Sequence, residues 1–402
     1  MYASTRQFDH VIDLNDVARG DGFLFVRDGV GIAGRGIALR TTAESVTTDL
    51  QNIKQVGSIT PDPIALGILP FLHDDQTHFV IPKIIVRKKS DHTTTLTIVA
   101  NDESECSDEH FALATNDLLT PRVVKPSASS FQISPVTPIS TYLAAVTAAR
   151  DAVRAGKLIK VVIARDISVT SDEIIDVHAV LLRLRATFGS SYRYSIDGFI
   201  GASPELLVAV QDSTVTSHPL AGTTTRTGDP ATDTRLASEL QASAKNQIEH
   251  RVVVDMVHDT LLPFCSFLDW QPDPSVVSVA NVQHLGTSVV GQLNKPTTHV
   301  LTLARALCPT PALGGYPTSD AIQFIRDVEG FSRGNYGGAV GWIDTLGNGT
   351  WAVAIRCAQL SQDKKSAHLF AGGGIVAQSE PLSELVETQA KFQAMLSAIV
   401  RP

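Results

Sequence analysis

The sequence predicts an α+β fold built on large antiparallel sheets. Short strand-like runs, such as residues 23–27 and 78–87, fill the region from about 20 to 115, which shows little helical periodicity. Later strands at 191–200, 205–210 and 214–219 are joined by short loops, which favour antiparallel neighbours. Helical segments fall between strands without regular alternation, so a parallel βαβ sheet is not expected.

Near the N-terminus, Gly29, Gly31 and Gly34 match the letters of the dinucleotide-binding fingerprint G-x-G-x-x-G. That fingerprint needs a following helix to direct its N-terminus at a pyrophosphate, whereas residues 35–40 have the pattern of another strand. A glycine-rich hairpin is the favoured interpretation. A nucleotide-dependent oxidoreductase is the alternative, and failure to retain NAD or to bind a dye-ligand resin would dispose of it.

Residues 116–139 predict a linker, because four prolines (Pro121, Pro126, Pro135 and Pro138) lie there among serines and threonines. A helix is expected to start at Ser140 as its cap and to run to about Ala155.

The catalytic half then alternates strands and helices irregularly. We expect a strand at 160–169, a helix at 174–186 and another helix at 244–262 with Ile248, Val252 and Met256 as its core stripe. Residues 339–344 and 350–360 flank Asn348-Gly349, which is a strong hairpin signal.

The C-terminal segment predicts an amphipathic helix that Pro381 opens in its first turn. Its expected buried stripe consists of Leu382, Leu385, Phe392, Leu396 and Ile399.

Beside that stripe, Glu384, Glu387 and Lys391 are three and four residues apart and share one helix face. Two carboxylates one turn apart can hold a hard cation such as Mg²⁺, although a solvated salt-bridged face has the same pattern. Gly372, Gly373 and Gly374 stand between a strand-like run and this helix, so we expect their backbone N–H groups to receive an anion.

Three further charged residues lie at the ends of apolar segments. Glu205 opens a strand, and burial against apolar walls would raise its pKa and suit a general acid; most such carboxylates are solvated. Lys160 likewise opens an apolar strand, where a desolvated lysine serves as a base and an ordinary one reaches the surface. Glu249 follows the predicted core position Ile248 and could face a cavity or water.

Composition excludes several function classes. The 33 basic against 41 acidic residues give a net charge of −8 without a basic tract, which argues against nucleic acid and anionic membranes. We find no apolar run of membrane-spanning length and no signal-peptide core, so a cytoplasmic protein is expected. The four cysteines and the histidines lack zinc-ligand spacing. A monomer is the default expectation.

A series of motifs runs through the chain from about residue 140 in an order that resembles the chorismate-utilising enzymes, which include isochorismate, salicylate, anthranilate and aminodeoxychorismate synthases. The motifs are Lys160-Val-Val-Ile-Ala-Arg165, Gly201-Ala-Ser-Pro-Glu205, Pro219-Leu-Ala-Gly-Thr223, Glu249-His250, Gln283-His-Leu-Gly-Thr287, residues 308–315, Tyr336-Gly-Gly, Ala354-Ile-Arg-Cys357, residues 370–376 and Glu384-x-x-Glu387-x-x-x-Lys391. The resemblance implies one chorismate-binding domain over 1–402, with a sheet-rich part without catalytic motifs (1–139) and a catalytic core (140–402). Its sheets would form a sandwich with helices outside.

The same resemblance implies roles for individual residues. Mg²⁺ would be held by Glu249 and Glu387, with Glu384 in the outer coordination sphere. Lys160 would be the general base on a water that attacks ring C2 of chorismate, and Glu205 the acid that protonates the departing C4 hydroxyl. The implied substrate-binding residues are Ala221, Gly222, Thr223, His284, Leu313, Tyr336, Arg356, Gly372, Gly373, Gly374 and Lys391.

Departures from other members narrow the reaction. Anthranilate synthases carry glutamine where Lys160 stands, and aminodeoxychorismate synthases carry a nucleophilic lysine where Ala221 stands, so water is the implied nucleophile. No amidotransferase segment is present, and no amidotransferase subunit is expected. Leu313 resembles the isochorismate-forming group, and a salicylate synthase or a non-catalytic chorismate-binding homologue are the alternatives. Asn246 stands where many relatives have an acid, which would weaken the Mg²⁺ site.

Overall fold

The computed structural model describes residues 1–57, 59, 62–122 and 129–401, and it has the predicted α+β architecture. The helices are α1 (Leu14–Ala18), α2 (Val46–Gln51), α3 (Asp108–Leu119), α4 (Ile139–Arg154), α5 (Val177–Phe188), α6 (Pro230–Ala242), α7 (Ala244–Leu261), α8 (Val300–Leu307), α9 (Thr318–Val328) and α10 (Pro381–Val400). The strands are β1 (Tyr2–Gln7), β2 (Phe23–Arg27), β3 (Val30–Arg35), β4 (Leu39–Thr41), β5 (Lys54–Gln55), β6 (Ile64–Leu69), β7 (His78–Ile81), β8 (Ile84–Lys88), β9 (Thr94–Ala100), β10 (Phe131–Pro135), β11 (Lys160–Ser171), β12 (Tyr192–Ile196), β13 (Phe199–Ser203), β14 (Leu206–Gln211), β15 (Thr214–His218), β16 (Leu220–Thr225), β17 (Cys265–Trp270), β18 (Ser275–Ser278), β19 (Val282–Gly286), β20 (Val289–Leu293), β21 (Gly315–Tyr316), β22 (Ala339–Asp344), β23 (Gly349–Val353), β24 (Cys357–Leu360) and β25 (Ser366–Ile375).

Two large sheets and one small sheet organise these strands. Within the described residues, the larger sheet has 13 strands in the order β10-β11-β25-β24-β13-β12-β2-β3-β8-β9-β1-β5, with β21 on a side branch from β11. The second sheet has nine strands in the order β17-β20-β15-β14-β23-β22-β6-β7-β4, and β16, β19 and β18 form the third. Strands of residues 1–139 and of residues 140–402 pair directly, as β2 does with β12 and β6 with β22. The division into a single domain with these two parts stays a prediction.

Alternation along the strands builds a core on each face of the 13-stranded sheet. In β2, Phe23 and Phe25 belong to the core that includes residues of both large sheets, whereas Leu24 and Val26 belong to the second core. The second core also takes in residues of α1, α3, α5 and α10, and it includes Phe392. Because successive strand side chains point to opposite faces, one sheet serves both cores. The sheets therefore pack as a sandwich with these helices outside.

Both hairpin predictions are confirmed. The glycine-rich segment forms the β2–β3 hairpin, with Arg27 opposite Val30, and no helix follows it. The Asn348-Gly349 signal lies between β22 and β23, which pair antiparallel. No helix in the described part of the chain has the length and apolar character needed to cross a membrane.

Several boundary predictions need correction. α4 begins at Ile139 after Pro138, so Ser140 lies inside the helix and does not cap it. The expected linker contains the end of α3 and the strand β10, while Pro126 lies outside the described residues. β10 pairs with β11 through contacts such as Phe131 opposite Ser171, and local composition carries no signal for a partner so distant in sequence.

Two predicted helix stripes are wrong in part, at Leu382 in the first turn of α10 and at Ile248 in the second turn of α7. Helix α7 buries Val253, Val254, Val257 and Leu261, whereas the predicted Val252 and Met256 are only partly buried. Leu382 is 69% exposed and Ile248 is 63% exposed, although α10 and α7 themselves are present. The inward side of these turns is polar, because Glu384 is buried in α10 and Glu249 lines a cavity beside α7. Apolar residues on these turns are therefore left facing outward.

Candidate active site

A central cavity of about 160 Å³ collects the charged residues that the sequence analysis selected. Lys160 begins β11, Glu205 lies between β13 and β14, and Glu249 lies in the second turn of α7. Arg356 lies between β23 and β24, and Lys391 lies on α10. Elements separated by up to 231 positions in the chain (160 to 391) thus meet around one enclosed space.

Every predicted site residue lines the central cavity except Gly373 and Glu384, which lie directly behind it. The predicted site residues that line the cavity are Lys160, Glu205, Ala221, Gly222, Thr223, Glu249, His284, Leu313, Tyr336, Arg356, Gly372, Gly374, Glu387 and Lys391.

Lys160 is the most buried of the cationic side chains in the cavity, at 1% exposure. Its Nζ donates to Glu249 Oε1 at 2.9 Å. The lysine backbone pairs with Tyr316 of β21, and the next residue, Val161, pairs with both β21 and β25, so the start of β11 is held in place. A buried lysine held this firmly is placed for chemistry or charge balance and cannot reach the surface.

Glu205 is the acid of the cavity. Burial raises its pKa to about 8, an effect only partly offset by a hydrogen bond from the Leu220 N–H to Oε1 at 3.3 Å and by the charge of Lys160. The carboxyl group is therefore protonated at neutral pH and can donate a proton. Burial is the cause of this raised pKa, and the role of Glu205 as general acid stays a prediction.

The three glycines do not form the anion-binding turn that the sequence suggested. They lie inside β25, where Gly372, Gly373 and Gly374 pair with residues of β11, and α10 begins only after Glu380. Their function is to leave space. A Cβ on Gly374 would lie 2.5 Å from Glu249 Oε1 and 2.7 Å from Lys160 Cε, and one on Gly372 would lie 2.9 Å from the Tyr336 hydroxyl.

The carboxylates of α10 are balanced by lysines. Lys391 Nζ contacts Glu387 Oε1 at 2.7 Å and donates to the Gly372 carbonyl at 2.7 Å, and Lys245 Nζ lies 3.7 Å from Glu384 Oε1. Burial and the neighbouring Glu387 raise the pKa of Glu384. Burial acts to raise the pKa of Glu387 as well, but the charge and hydrogen bond of Lys391 outweigh it and lower that pKa.

These carboxylates suit a hard cation by chemistry. Gly373 lets Glu384 approach, since a Cβ there would lie 2.8 Å from Glu384 Oε2 and 3.8 Å from Glu387 Oε1, and Glu249 approaches over Gly374. No group of three or more His, Cys, Asp or Glu side chains within the described residues is arranged to hold a metal. Mg²⁺ needs only one or two protein carboxylates when substrate oxygens and water complete its coordination, so the donor set fits it.

In the described part of the chain no carboxylate lies within salt-bridge distance of Arg356, although the charge of Glu387 acts on it from farther away. Its Nη1 is buried and has no hydrogen-bond partner among the residues that the structure describes, and Nη2 lies 3.4 Å from His284 Nε2. Burial lowers the arginine pKa to about 10, which still leaves it charged at neutral pH. Its backbone has φ of 51°, a conformation that residues other than glycine rarely adopt and that is concentrated at functional sites.

His284 accompanies Arg356 as a neutral group. Its Nδ1 lies 3.2 Å from the Gly222 carbonyl, which can only accept, so Nδ1 carries the proton and Nε2 faces Arg356 as an acceptor. Burial, together with the charges of Arg356 and Lys391, lowers the pKa of His284 to about 3. The Tyr336 ring stacks on Phe370 at a centroid distance of 5.5 Å, and burial raises the tyrosine pKa.

The sequence analysis missed Lys245 as a site residue. It lines the cavity beside Asn246, four residues before Glu249 and therefore on the same face of α7. The four-residue spacing from Glu249 was the sequence signal from which Lys245 could have been predicted as a site residue. With Lys160, Lys391 and Arg356 it makes the cavity rich in basic groups, which favours an anionic ligand.

Comparison with known proteins places the chain in a family. Residues 37–400 match the model of the family described as chorismate binding enzyme, so the chain belongs to that family and the resemblance drawn from its motifs is confirmed.

Named relatives agree on the subgroup. Isochorismate synthase DhbC of Bacillus subtilis (strain 168) is 40% identical over 281 residues, which cover 67% of this chain and 70% of the relative. A Mycobacterium tuberculosis protein provisionally named isochorismate synthase MenF is 43% identical over 275 residues, covering 65% of this chain and 74% of the relative. The crystal structure of a Bacillus anthracis protein, assigned by inference as the 2,3-dihydroxybenzoate-specific isochorismate synthase DhbC, superposes with a TM-score of 0.80 at 31% identity, over 96% of this chain and 98% of that one.

A substitution at Gly374 tests whether the site requires a residue without a Cβ at this position. We expect Gly374→Ala to lower turnover at least about ten-fold, because the new methyl group displaces Glu249 or Lys160 and small displacements of reacting groups are costly. The matched control is Gly20→Ala, where the nearest atom would lie at an ordinary 3.5 Å. Steady-state kinetics beside thermal unfolding checks the result; equal activity in both variants contradicts this role for Gly374.

The raised pKa of Glu205 predicts a pH-dependent cost of folding. Between the ordinary value of 4.5 and about 8, the folded protein keeps a proton that the unfolded chain releases, so stability falls as pH rises through that window. Glu205→Gln removes the titratable carboxyl group, so the variant does not pay this pH-dependent cost. Its unfolding free energy relative to that of wild type should therefore increase from pH 5 to pH 8 and level off above. Denaturant unfolding across that range measures the difference, with the exposed Glu239→Gln as control; parallel curves for Glu205→Gln and wild type would rule out the shift.

Proposed function

We propose that the protein is an isochorismate synthase, which converts chorismate reversibly to isochorismate. The observation that carries the proposal is that the buried Glu205, whose pKa is raised, lies in the same cavity as the buried Lys160 and as Arg356, whose Nη1 has no partner among the described residues. Membership of the chorismate-binding family and the relatives named isochorismate synthase support it. The product would enter siderophore or menaquinone biosynthesis, and we expect the protein to act as a cytoplasmic monomer without an amidotransferase subunit.

The cavity suits a small dianion. Chorismate carries a ring carboxylate, an enolpyruvyl carboxylate and a hydroxyl group on a diene ring. Arg356 offers a planar fork for a carboxylate, and Tyr336 and Lys391 line the same cavity. The remaining predicted contacts, Ala221, Gly222, Thr223, His284, Leu313 and the cavity-lining glycines Gly372 and Gly374, supply shape and neutral hydrogen-bonding groups.

Proton transfer by two residues accounts for the reaction. Lys160 takes a proton from the water whose oxygen forms a bond to ring C2, and the two ring double bonds shift as the C4–O bond breaks. Glu205 gives its proton to the departing hydroxyl, which leaves as water. The raised pKa of Glu205 keeps that proton available at neutral pH. Lys160 must first give up both its 2.9 Å contact with Glu249 and one proton, because an ammonium group that acts as a donor has no lone pair to accept a proton.

We assign Mg²⁺ to Glu249 and Glu387, with Glu384 behind them. When bound, the ion supplies positive charge for the ring carboxylate. The chain itself provides oxygen donors on both sides of β25, and its glycines leave room for them. Asn246 in the cavity adds no negative charge, in keeping with a weak metal site.

Elimination of pyruvate from isochorismate, giving salicylate, is the second candidate outcome. Leu313 is buried in the cavity wall, and its apolar side chain favours the isochorismate-forming group, since salicylate formers carry a more polar residue near this position.

Product analysis tests the reaction. Purified protein with chorismate and Mg²⁺ should yield isochorismate up to a plateau with chorismate remaining, as chromatography with mass detection will show. Lys160→Ala and Glu205→Gln should each lose at least about 100-fold in rate, because general acid and base groups contribute 10²–10⁴-fold. The exposed Lys157→Ala is the matched control. Salicylate with stoichiometric pyruvate would establish the second candidate, and absence of turnover in the wild type would reject catalysis.

Metal dependence tests the carboxylate assignment. Removal of Mg²⁺ with EDTA should abolish turnover, and Glu387→Gln should raise the Mg²⁺ concentration for half-maximal activity at least about ten-fold, because one charged ligand is lost. Glu109→Gln, an exposed change on α3, serves as the control. An unchanged magnesium titration in Glu387→Gln removes that residue from the ligand set.

A further inference from the structure

β11, the strand that begins with Lys160, has a gap along one edge. Its other edge is paired with β25 from Val161 to Thr170. On the gapped edge, β21 pairs only with Lys160 and Val161, and β10 pairs only from Ile167 onward. The Val162 N–H donates to the Gly314 carbonyl at 2.9 Å, which leaves the Val162 carbonyl and the Ala164 N–H to find other partners. The backbone between these two strands is buried, and buried backbone N–H and C=O groups need partners.

One ion pair occupies this gap. Glu329 Oε1 accepts from the Ala164 N–H at 2.7 Å, and Arg333 Nη2 donates to the Val162 carbonyl at 2.8 Å. The two side chains contact each other at both ends, with Arg333 Nε to Glu329 Oε2 at 2.8 Å and Nη2 to Oε1 closer still. Their side chains are at most 2% exposed. The Glu329–Arg333 pair thus takes the place of a neighbouring strand at Val162 and Ala164, the second and fourth residues after Lys160.

The same arginine also contacts the segments that carry Leu313 and Tyr336, two residues of the cavity lining. Arg333 Nη1 donates to the Leu313 carbonyl at 2.7 Å, and the Arg333 carbonyl accepts from the Tyr336 N–H at 2.9 Å. Its guanidinium lies 4.4 Å from the centre of the Phe71 ring. Leu313 and Tyr336 line the central cavity, whereas neither Arg333 nor Glu329 does.

We propose that Glu329 and Arg333 are positioning residues that fix the distance between Lys160 on β11 and the substrate-contacting residues Leu313 and Tyr336. Arg333 is the one side chain among the described residues that hydrogen-bonds to both Val162 and Leu313. A planar guanidinium holds several acceptors in fixed directions, which a lysine ammonium on a flexible stem does not. The inference rests on the proposed function, since the distance matters only if Lys160 acts on a molecule held by Tyr336.

Stability and positioning can be separated by two variants. Arg333→Lys keeps the positive charge but loses the planar set of N–H donors of the guanidinium group. Glu329→Gln with Arg333→Met removes both charges, keeps an acceptor for Ala164 and tends to restore stability, because neutral replacement of a buried pair is often tolerated. Arg193→Lys is the matched control, since Arg193 is equally buried but bonds Asn15 outside the cavity.

We expect both variants to lose at least about ten-fold in kcat/KM for chorismate, measured where circular dichroism shows them folded, while Arg193→Lys stays within about two-fold of wild type. A folded double variant with wild-type kcat/KM would overturn the proposal, and Arg333→Lys decides alone if the double variant does not fold.

A mutant cycle adds a readout that a structural role would not move. Arg333→Lys and Tyr336→Phe should be non-additive in kcat/KM, because a displaced tyrosine has less to lose. The two residues are in contact, so some coupling in unfolding free energy is expected as well, and the coupling in kcat/KM should be clearly the larger; equal coupling in the two quantities contradicts positioning. Additive effects in both kcat/KM and unfolding free energy would contradict the positioning role of Arg333. A wild type without turnover would reject the proposed function instead; positioning is then judged by the chorismate Kd, expected about ten-fold weaker in Arg333→Lys and unchanged if the inference is wrong.

Discussion

The pairing of β11 with β25 is the interaction on which the site depends. Ten successive residues of β11, from Val161 to Thr170, are opposite residues of β25, and this register puts Val162 opposite Gly374. Side chains can then approach β25 from both faces, because three consecutive positions carry no Cβ. A shift by one residue would exchange the faces of every side chain on the strand, so the register also decides that Lys160 and Glu249 meet.

Charge balance is the second constraint. Three carboxylates around β25 each lie beside a lysine, as Glu249 does beside Lys160 and Glu387 beside Lys391. Burial of unpaired charges would be costly, and these pairs remove most of that cost. Two groups differ: Glu205 avoids the cost by staying protonated, and Arg356 keeps an unpaired guanidinium nitrogen for a ligand. The cavity is thereby prepared for an anion and a proton transfer without a large net charge.

Local sequence patterns were informative where local forces decide. The strand at 23–27, the Asn348-Gly349 turn and the existence of α7 and α10 follow from strand propensity, turn chemistry and helical periodicity, and all are present. Periodicity failed at Leu382 and Ile248, because a helix that borders a polar cavity buries its carboxylates there and exposes apolar residues. The role of Gly372 to Gly374 was also misjudged, since a glycine run has the same appearance in a turn and in a strand that needs empty space.

The sequence by itself determined the fold class, the family and most of the site residues, because the order of its motifs survives without coordinates. Only the tertiary structure decided which charges meet, that Glu205 is buried enough to hold its proton, and that Lys245 belongs to the cavity. It alone revealed that Glu329 and Arg333 complete the edge of β11. The physical reason is that desolvation and pairing depend on neighbours contributed by distant segments, and these neighbours have no signature within the local sequence.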